Sequence, residues 1–298
     1  MGKFLLVMLG VLFVPAAGLA QTTLFAGVGR GSGENPGAIL TLDQVNGTAT
    51  VIGEGASDPQ AGVTGLAFDS AGRLFASTIN APLFGGAPFS TLIRIDPLTG
   101  EQVALIGTIT VAGTALVIND LAIQPGTDVL FGTAINVGTN SNNLYTIDKT
   151  TAVATFIGDT TVIGATIAFG PDGTLYQTSA EFGDMGFLRG FLNTLDPATA
   201  AVLTNSMPFT EAHIGALAVR PTDGVIFASS GMPGDIYTLS RDGVLTLVGN
   251  TGAGGPGDLA FTPVPTDKTQ CKSGGWRTNF AFAFENQGDC IQFVNTGK

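Results

Sequence analysis

The stretch that decides the fold is VTGLAFDSAGRLFASTINAPLFGGAPFSTLIRIDPLTGEQVALIG, residues 63–107. It contains four short runs rich in apolar residues, at positions 66–68, 74–77, 92–95 and 103–106. Residues that favour turns separate these runs, including Gly72 after the first and Asp96 and Pro97 after the third. Short runs of this kind are typical of antiparallel strands joined by hairpins. Four such strands in succession predict one blade of a β-propeller.

The same four-strand unit recurs along the chain. Its first-strand motif begins at five positions, about 55, 46, 50 and 42 residues apart: Leu66, Leu121, Ile167, Leu217 and Leu259. Repeats of this length are typical of propellers. Residues 22–53 contain only the second, third and fourth strands, and residues 258–261 form an isolated first strand. We therefore expect an all-β ring of five four-stranded blades, with a closing blade split between the two ends.

Closure of the ring also removes sheet edges that would otherwise be exposed to aggregation. An open solenoid is the alternative architecture, but it does not explain why the two ends of the chain carry complementary parts of one repeat. We expect a monomer.

Three of the repeats are especially regular. They read VTGLAFDSAGRLFAST at 63–78, NLYTIDKTTAVATFIG at 143–158 and IAFGPDGTLYQTS at 167–179. These segments resemble the repeats of secreted bacterial β-propellers of the NHL and YVTN-like type, and the resemblance covers about residues 22–263. It implies a propeller fold. It does not imply one activity, because propellers serve as binding proteins, lactonases, lyases and scaffolds.

The composition argues against two classes of partner. Charged residues make up only 12% of the chain, the formal net charge is −11 and the sequence pI is about 4.3. An acidic surface repels nucleic acid and anionic lipid, so we expect neither as a partner.

The N-terminus has the pattern of a secretory signal peptide over residues 1–20. Lys3 supplies the positive charge, residues 4–14 are apolar, and Gly18 and Ala20 are small residues before a cleavage site at Gln21. The apolar run is too short to span a bilayer, and no later stretch is long and apolar enough to do so. We expect a secreted or extracytoplasmic protein, with an uncleaved anchor as the alternative.

The composition changes after the propeller repeats. We therefore divide the chain into the signal peptide at 1–20, a propeller over 21–265 and a C-terminal segment over 266–298. This segment contains both cysteines, Cys271 and Cys290, which in a secreted chain are most simply a disulfide. Alternation of Phe280, Phe282 and Phe284 favours a strand with one aromatic face. We expect a small disulfide-tied hairpin with its own aromatic core; an attachment module for a cell surface or another protein is the alternative.

The C-terminal pattern Gln-Cys-Lys-x-Gly-Gly-Trp, followed by Asn-Gln-Gly-x-Cys, resembles a segment found at the end of many otherwise unrelated bacterial secreted proteins. The resemblance implies no particular activity.

No catalytic motif stands out. The chain has a single histidine, His213, and lacks a Gly-x-Ser-x-Gly elbow, a Walker loop and a His-Glu-x-x-His pair. His213 is either a general base or, more simply, a surface residue. We therefore assign no catalytic residues and no organic cofactor.

Blade geometry places the long inserts at one end of the ring. The loops between second and third strands lie at the same end as the residues that lead into each first strand. The inserts are at 28–38, 79–90, 134–142, 179–190 and 230–234. Binding residues concentrate on loops held by a rigid scaffold, so this end is the expected functional face.

Carboxylates stand at equivalent positions in two blades. The residues directly before the first-strand motifs are Gly65, Asp120, Thr166, Ala216 and Asp258. Asp120 and Asp258 should face a common channel, with Asn119 and His213 nearby. Some propeller lactonases and lyases hold a divalent cation with a ring of Asp, Asn and Glu, so the resemblance to propellers implies a cation site at Asp120, Asp258 and Asn119. Oxygen ligands of this kind suit Ca²⁺ or Mg²⁺. Alternatively, the two carboxylates accept hydrogen bonds from backbone N–H groups at the channel mouth.

Three functions are compatible with the sequence. The first is a secreted, non-catalytic propeller that binds a protein or glycan through its loop-rich face. The second is a metal-dependent, lactonase-like hydrolase or lyase working at the channel mouth. The third is a structural envelope or matrix protein displayed by its C-terminal segment.

Overall fold

The computed structural model describes residues 22–32, 35–55, 61–80, 87–136, 138–139, 141–182, 188–209, 214–280 and 283–297. The predicted signal peptide at 1–20, His213 and Phe282 lie outside these ranges.

The described chain forms five four-stranded antiparallel sheets, which confirms the five-bladed propeller. In chain order the strands are β1 (Leu24–Val28), β2 (Ile39–Leu42), β3 (Ala49–Gly53), β4 (Gly62–Phe68), β5 (Leu74–Asn80), β6 (Phe89–Ile95), β7 (Gln102–Thr108), β8 (Thr110–Val111), β9 (Thr114–Ala115), β10 (Ile118–Ile123), β11 (Leu130–Asn136), β12 (Ser141–Ile147), β13 (Ala154–Asp159), β14 (Gly164–Phe169), β15 (Leu175–Phe182), β16 (Leu188–Leu195), β17 (Val202–Asn205), β18 (Ala216–Val219), β19 (Ile226–Ser229), β20 (Asp235–Leu239), β21 (Leu245–Asn250) and β22 (Pro256–Phe261). Blade one is β4–β7, blade two β10–β13, blade three β14–β17 and blade four β18–β21.

The closing blade is built from both ends of the chain, as the repeat pattern predicts. Its strand order is β22-β1-β2-β3. Leu24 lies opposite Phe261, and Gly27 lies opposite Asp258. Beyond the strand, the backbone N–H of Thr262 donates to the carbonyl of Thr23 at 3.0 Å. The last strand of the chain is therefore the innermost strand of the first sheet, and the ring is closed by a sheet rather than by a loop.

The turns between third and fourth strands share one construction in four of the five blades; in blade four the turn begins at Ser240 instead. An aspartate begins the turn, and its carboxylate accepts the backbone N–H two residues later; Asp96 accepts from Leu98 at 2.9 Å. The fifth residue has a left-handed backbone, with φ of +69° at Gly100 and +59° at Ala152. Glycine is favoured there because other residues are strained in that region. The Asp and Gly signals in the sequence therefore identify these turns for a physical reason.

The core lies between the blades. Each second strand begins with an apolar residue followed by an aromatic one, and these side chains are buried against the neighbouring blade. Three edge-to-face ring pairs help to hold the joints: Phe25 with Phe68, Phe131 with Phe169, and Phe227 with Phe261. Such pairs add about 0.5–1.5 kcal/mol beyond the burial of their apolar area.

The inserts are shorter than the sequence pattern predicted. Residues 79–80 continue β5 and residues 89–90 begin β6; in the same way β11, β12, β15 and β16 run into the predicted inserts. Polar and small residues at the ends of paired strands look like loop residues in sequence, whereas the ladder hydrogen bonds of a long hairpin hold them extended. The short hairpin β8–β9, which turns at Gly113 with φ of +81°, was not predicted at all.

The predicted C-terminal hairpin is wrong, because the segment forms three short helices. They are α1 (Lys268–Cys271), α2 (Gly275–Thr278) and α3 (Gln287–Thr296). Asp267 and Gln270 make a reciprocal capping box at α1, and Asn286 caps α3 by accepting the Asp289 N–H at 3.0 Å. These caps satisfy backbone donors that would otherwise be unpaired, and so they stabilise the helices. The segment is therefore helical despite the alternating phenylalanines, which favour a strand.

The disulfide between Cys271 and Cys290 is confirmed, with a Cα–Cα distance of 5.7 Å. The expected aromatic core is also present. Phe284 lies 6.3 Å from Phe280 and 5.6 Å from Phe293, measured between ring centroids. Trp276 packs against the same cluster.

The C-terminal segment touches blade one. A side chain at Gly72 would collide with the backbone of Asn279, so the glycine permits a close approach between the two. Within the described ranges, none of the helices has the length and apolar character needed to cross a membrane.

Candidate functional site

The five innermost strands, β22, β4, β10, β14 and β18, surround the axis of the ring. Each begins at the end of the propeller that bears the inserts. Gly62 at the start of β4 lies opposite Ile79, and Gly164 at the start of β14 lies opposite Ser179. The predicted arrangement of inserts and first-strand starts at one end is therefore confirmed.

Two cavities occupy the axis. The insert-side pocket has a volume of about 380 Å³, and its lining includes Thr64, Asn119, Gly164, Ser179, Phe209 and Ile214. The turn-side pocket has a volume of about 350 Å³ and lies at the opposite end. Five alanines, one from each inner strand, line it: Ala67, Ala122, Ala168, Ala218 and Ala260. Asn119 belongs to the first pocket and Leu121 to the second, so Asp120 lies between them.

Asp120 and Asp258 meet in this central position. Both side chains are fully buried, and they are joined by a hydrogen bond between the two carboxyl groups. Asp120 accepts the backbone N–H of Leu121 and of Ile167, each at 2.6 Å, and it also accepts the Thr166 hydroxyl. Every carboxyl oxygen of Asp120 thus has a protein donor.

Asp258 is held in the same manner. It accepts the backbone N–H of Leu259 at 2.6 Å and the backbone N–H of Leu66. In both cases the second donor comes from the next blade around the ring. The two aspartates therefore join the closing blade to blade one and blade two to blade three, which corresponds to the hydrogen-bonded alternative of the sequence analysis.

The pair favours its protonated form. Burial raises the pKa of Asp120 from 3.8 to about 7, and the hydrogen bonds from Asp258, Thr166, Ile167 and Leu121 limit the rise. Burial also raises the pKa of Asp258 well above its usual value, and the neighbouring charge of Asp120 raises it further. Two adjacent carboxyls in a dry site cannot both ionise without strong repulsion, so they share at least one proton near neutral pH.

The structure brings two of the three predicted metal ligands together. Asn119 is partly exposed and lines the insert-side pocket above the pair. Across the described residues, no cluster of three or more His, Cys, Asp or Glu side chains could hold a metal ion. A cation at Asp120 and Asp258 would need both carboxyls ionised and would compete with the backbone donors. Metal binding here stays a prediction.

The insert-side pocket has a neutral lining. Among its described lining residues none is charged, although the chain carries a net charge of −11. Its mouth exposes two isoleucines, Ile135 at 56% and Ile163 at 41% of their surface. Exposed isoleucines beside hydroxyl and amide groups make a surface that can hold a ligand with both apolar and hydrogen-bonding parts.

Phe209 is a pocket residue that the sequence analysis missed, because it lies outside the repeated strands. Its backbone pairs with Gly190 through two hydrogen bonds of 2.9 Å, and its ring occupies the space that a side chain at position 190 would fill. An isolated glycine within a strand pattern often marks such a close approach, so Gly190 was the available signal.

Comparisons with known proteins give little beyond the fold. No family model matches the chain, and no curated protein matches it. Solved structures with similar folds include a nidogen/laminin complex, at 12% identity and a TM-score of 0.49, over 81% of this chain and 98% of that one. A gluconolactonase from Xanthomonas campestris matches at 20% identity and a TM-score of 0.43, over 79% of each chain. A periplasmic gluconolactonase from Pseudomonas aeruginosa matches at 12% identity and a TM-score of 0.42, over 82% of this chain and 99% of that one.

Proposed function

We propose that this chain is an extracytoplasmic, non-catalytic propeller that binds a protein or glycan ligand at its insert-bearing end. The observation that carries the proposal is the insert-side pocket, which combines a neutral polar lining with exposed isoleucines at its mouth. At the opposite end of the channel, Pro263, Val264, Thr266 and Gln270 line the turn-side pocket. The chain itself therefore crosses that end.

The disulfide supports an extracytoplasmic location. Disulfides persist in oxidising compartments and are rare where thiols are kept reduced. The bond between Cys271 and Cys290 agrees with the secretory pattern of residues 1–20. The acidic composition further argues against nucleic acid as the ligand.

A metal-dependent hydrolase or lyase is the second candidate function. It is favoured by one observation, namely that the carboxyl groups of Asp120 and Asp258 are in direct contact below the pocket. In such an enzyme the ionised pair and Asn119 would hold a hard cation such as Ca²⁺, whose chemistry is to polarise a substrate oxygen. Elemental analysis of the purified protein separates the two candidates.

Binding can be tested by changing the pocket mouth without disturbing the core. Glycan and protein arrays first identify a ligand for the full chain. Ile135→Asp and Ile163→Asp each place a charge in a half-exposed position, so we expect folded variants whose ligand affinity falls at least tenfold. Leu105→Asp is the matched control, because Leu105 is 63% exposed on the outer strand of blade one. Equal binding by all three variants would contradict the proposal.

A further inference from the structure

Among the residues that the structure describes, four buried polar side chains have atoms with no hydrogen-bond partner. They are the Thr133 hydroxyl, the Asn142 Nδ2, both amide atoms of Gln177 and the Asn193 Oδ1. We call Thr133, Asn142, Gln177 and Asn193 the polar layer. All four side chains are at most 1% exposed. Buried polar groups are normally paired, so this set lacks partners that the described part of the chain does not supply.

The polar layer lies in one place, the joint between blades two and three. Phe131, Leu144, Leu175 and Leu195 form one apolar cluster at this joint. Strand residues two apart point to the same face, and the pairing of β11 with β12 and of β15 with β16 is regular. Each member of the polar layer is two residues from a member of that cluster and therefore faces the same joint.

One pair within the polar layer is a departure from the repeat. Gln177 lies opposite Asn193 in blade three. The equivalent opposed pairs of the other blades are small and apolar or aromatic: Ala26 with Leu40, Ala76 with Ile93, Gly132 with Tyr145, and Ala228 with Tyr237. An all-apolar pair fits the architecture in four blades, so the fold alone does not require the amides of blade three.

The polar layer adjoins the insert-side pocket. Ile135 and Ser179 follow Thr133 and Gln177 two residues further along their strands, and both line the pocket. Asn142 accepts the backbone N–H of Gly164 at 2.9 Å, and Asn193 donates to the Ser179 hydroxyl at 2.9 Å. The Gln177 amide occupies the space that a side chain at Gly164 would fill. Gly164 itself lines the pocket, so the Gln177 amide lies directly against a residue of the pocket wall.

We propose that Gln177, the member of the polar layer whose amide lies against Gly164 of the pocket wall, is the recognition element for a neutral polyhydroxylated ligand of monosaccharide size that enters through the insert-side pocket. Rotation about the side-chain bonds of Gln177 carries its amide past Gly164 into the pocket. The amide then donates to one ligand hydroxyl and accepts from another. Ser179 and Asn119 offer further hydrogen bonds, and Phe209 and Ile214 contact the C–H face of the ligand.

The ligand class follows from the chemistry of the lining. Amides and hydroxyls can both donate and accept hydrogen bonds, and so they can pair with sugar hydroxyls, which do the same. An anionic ligand finds no described cation in this lining, and it would meet an acidic protein. This inference rests on the proposed function, in the case where the ligand is a glycan. The proposed function itself requires only that a protein or glycan binds at the pocket mouth.

The test uses the full chain and four neutral probes: D-glucose, D-galactose, D-mannose and sorbitol. Calorimetry and thermal shift measure binding, with glucuronate and glucose 6-phosphate as anionic comparators. We expect at least one neutral probe to bind and both anions to bind at least tenfold more weakly. Gln177→Ala installs the residue that three of the other blades carry, so it should fold. We expect it to lose at least tenfold in affinity, whereas Leu203→Ala, at a position 63% exposed on the outer strand of the same blade, should bind normally.

Two results would overturn the inference. One is normal sugar binding by Gln177→Ala, which would place recognition elsewhere in the pocket. The other is absence of binding to all four neutral probes together with a higher melting temperature for Gln177→Ala, which would show a polar layer satisfied by internal water alone. In either case, loss of an array-identified partner by Ile163→Asp would leave the proposed function standing, so the two failures can be told apart.

Discussion

The Asp258 carboxylate accepts the backbone N–H of Leu66, which lies 192 residues earlier in the chain. Asp120 makes the equivalent bond to Ile167 at 2.6 Å, and the two carboxyl groups also bond to each other. Two joints of the ring are thus tied through one shared buried acid pair. The ionisation of that pair should affect the stability of the whole propeller.

We expect stability to fall as pH rises from about 4 to about 7. Burial raises the pKa of Asp120 to about 7, whereas an aspartate in an unfolded chain titrates near 3.9. Between these values the folded protein holds a proton that the unfolded chain has lost, so folding is favoured at the acid end. The difference is on the order of 4 kcal/mol across the window. Urea unfolding at pH 5 and pH 8 measures about two-thirds of it, because the unfolded aspartate has already lost its proton at pH 5.

Asp120→Asn is the control for this pH dependence. The amide keeps the size of the carboxyl but cannot ionise, so the buried group whose pKa is raised to about 7 is removed, and with it the repulsion that raises the pKa of Asp258. The fall in stability between pH 5 and pH 8 should shrink to less than half. Asp128 and Asp148 have lowered pKa values, the former through Lys149 and Ser70 against its own burial and the latter through hydrogen bonds from Thr150. Their contribution is lost only as pH falls below about 4. An unchanged profile in the variant would mean that other groups cause it.

The split closing blade can be tested at its last strand. Phe261 packs edge to face on Phe227 at 5.5 Å, so Phe261→Ala should lower the free energy of unfolding by about 3–5 kcal/mol. Leu247→Ala, at a position 60% exposed on an outer strand, should change it by less than about 0.5 kcal/mol. Deletion of residues 258–261 removes an inner strand and exposes β1, so the protein should aggregate or unfold. Wild-type thermal stability in that deletion would contradict closure.

The fold could be predicted because its signals are local and repeated. Turn residues such as Gly72 and Asp96 punctuate every copy, and the complementary ends of the chain reveal the closure. The C-terminal helices were missed because the alternation of phenylalanines resembles a strand, whereas the caps at Asp267 and Asn286 determine the local structure. The capping residues can be recognised in the sequence. The sequence alone, however, does not show whether the helix caps or the alternating phenylalanines determine the local structure.

The site was only partly predictable. The register of the repeats placed Asp120 and Asp258 together, but the hydrogen bond between them depends on side-chain geometry across the ring. Phe209 lies outside the repeated strands, so the period of the repeat could not locate it. Gln177 and Asn193 carried a usable signal, since they are polar where the other copies have apolar residues. That signal becomes meaningful only when the paired strands are known.

Gly190 and Phe209 should show strong energetic coupling. In the wild type, Gly190→Ala forces a methyl group into the Phe209 ring, so we expect a loss of about 1–3 kcal/mol in unfolding free energy. In a Phe209→Ala background the same change should be neutral or slightly stabilising, because alanine suits a strand better than glycine. A double-mutant cycle by chemical denaturation measures the coupling. Additive effects would show that the ring is not seated on Gly190.

The C-terminal segment should be separable from the ring. Truncation after Pro265 removes the helices and the disulfide, which belong to a cluster of their own around Phe280. We expect a soluble propeller with one cooperative unfolding transition, somewhat less stable because the contact between Gly72 and Asn279 is lost. Cys271→Ala with Cys290→Ala is the control. It should lower the stability of the segment by about 3 kcal/mol and leave the propeller transition in place. Failure of the truncated chain to fold would contradict the prediction that the propeller and the C-terminal segment are separate folding units.

The last prediction concerns calcium at the acid pair. A cation requires both carboxyls ionised, so binding should strengthen as pH rises above 7, in the range where the pair loses its shared proton. If Ca²⁺ occupies the site, it should raise the melting temperature at pH 8 more than at pH 5, because a ligand that binds only the folded state stabilises it by mass action. Asp120→Asn with Asp258→Asn removes both charges at nearly constant size, and this variant should lose the calcium effect. Asp43→Asn, at a turn aspartate on the outside of the closing blade, serves as the matched control and should retain it. A melting temperature that does not respond to calcium at pH 8 would rule out the metal site and leave the carboxyl pair as a hydrogen-bonded tie between blades.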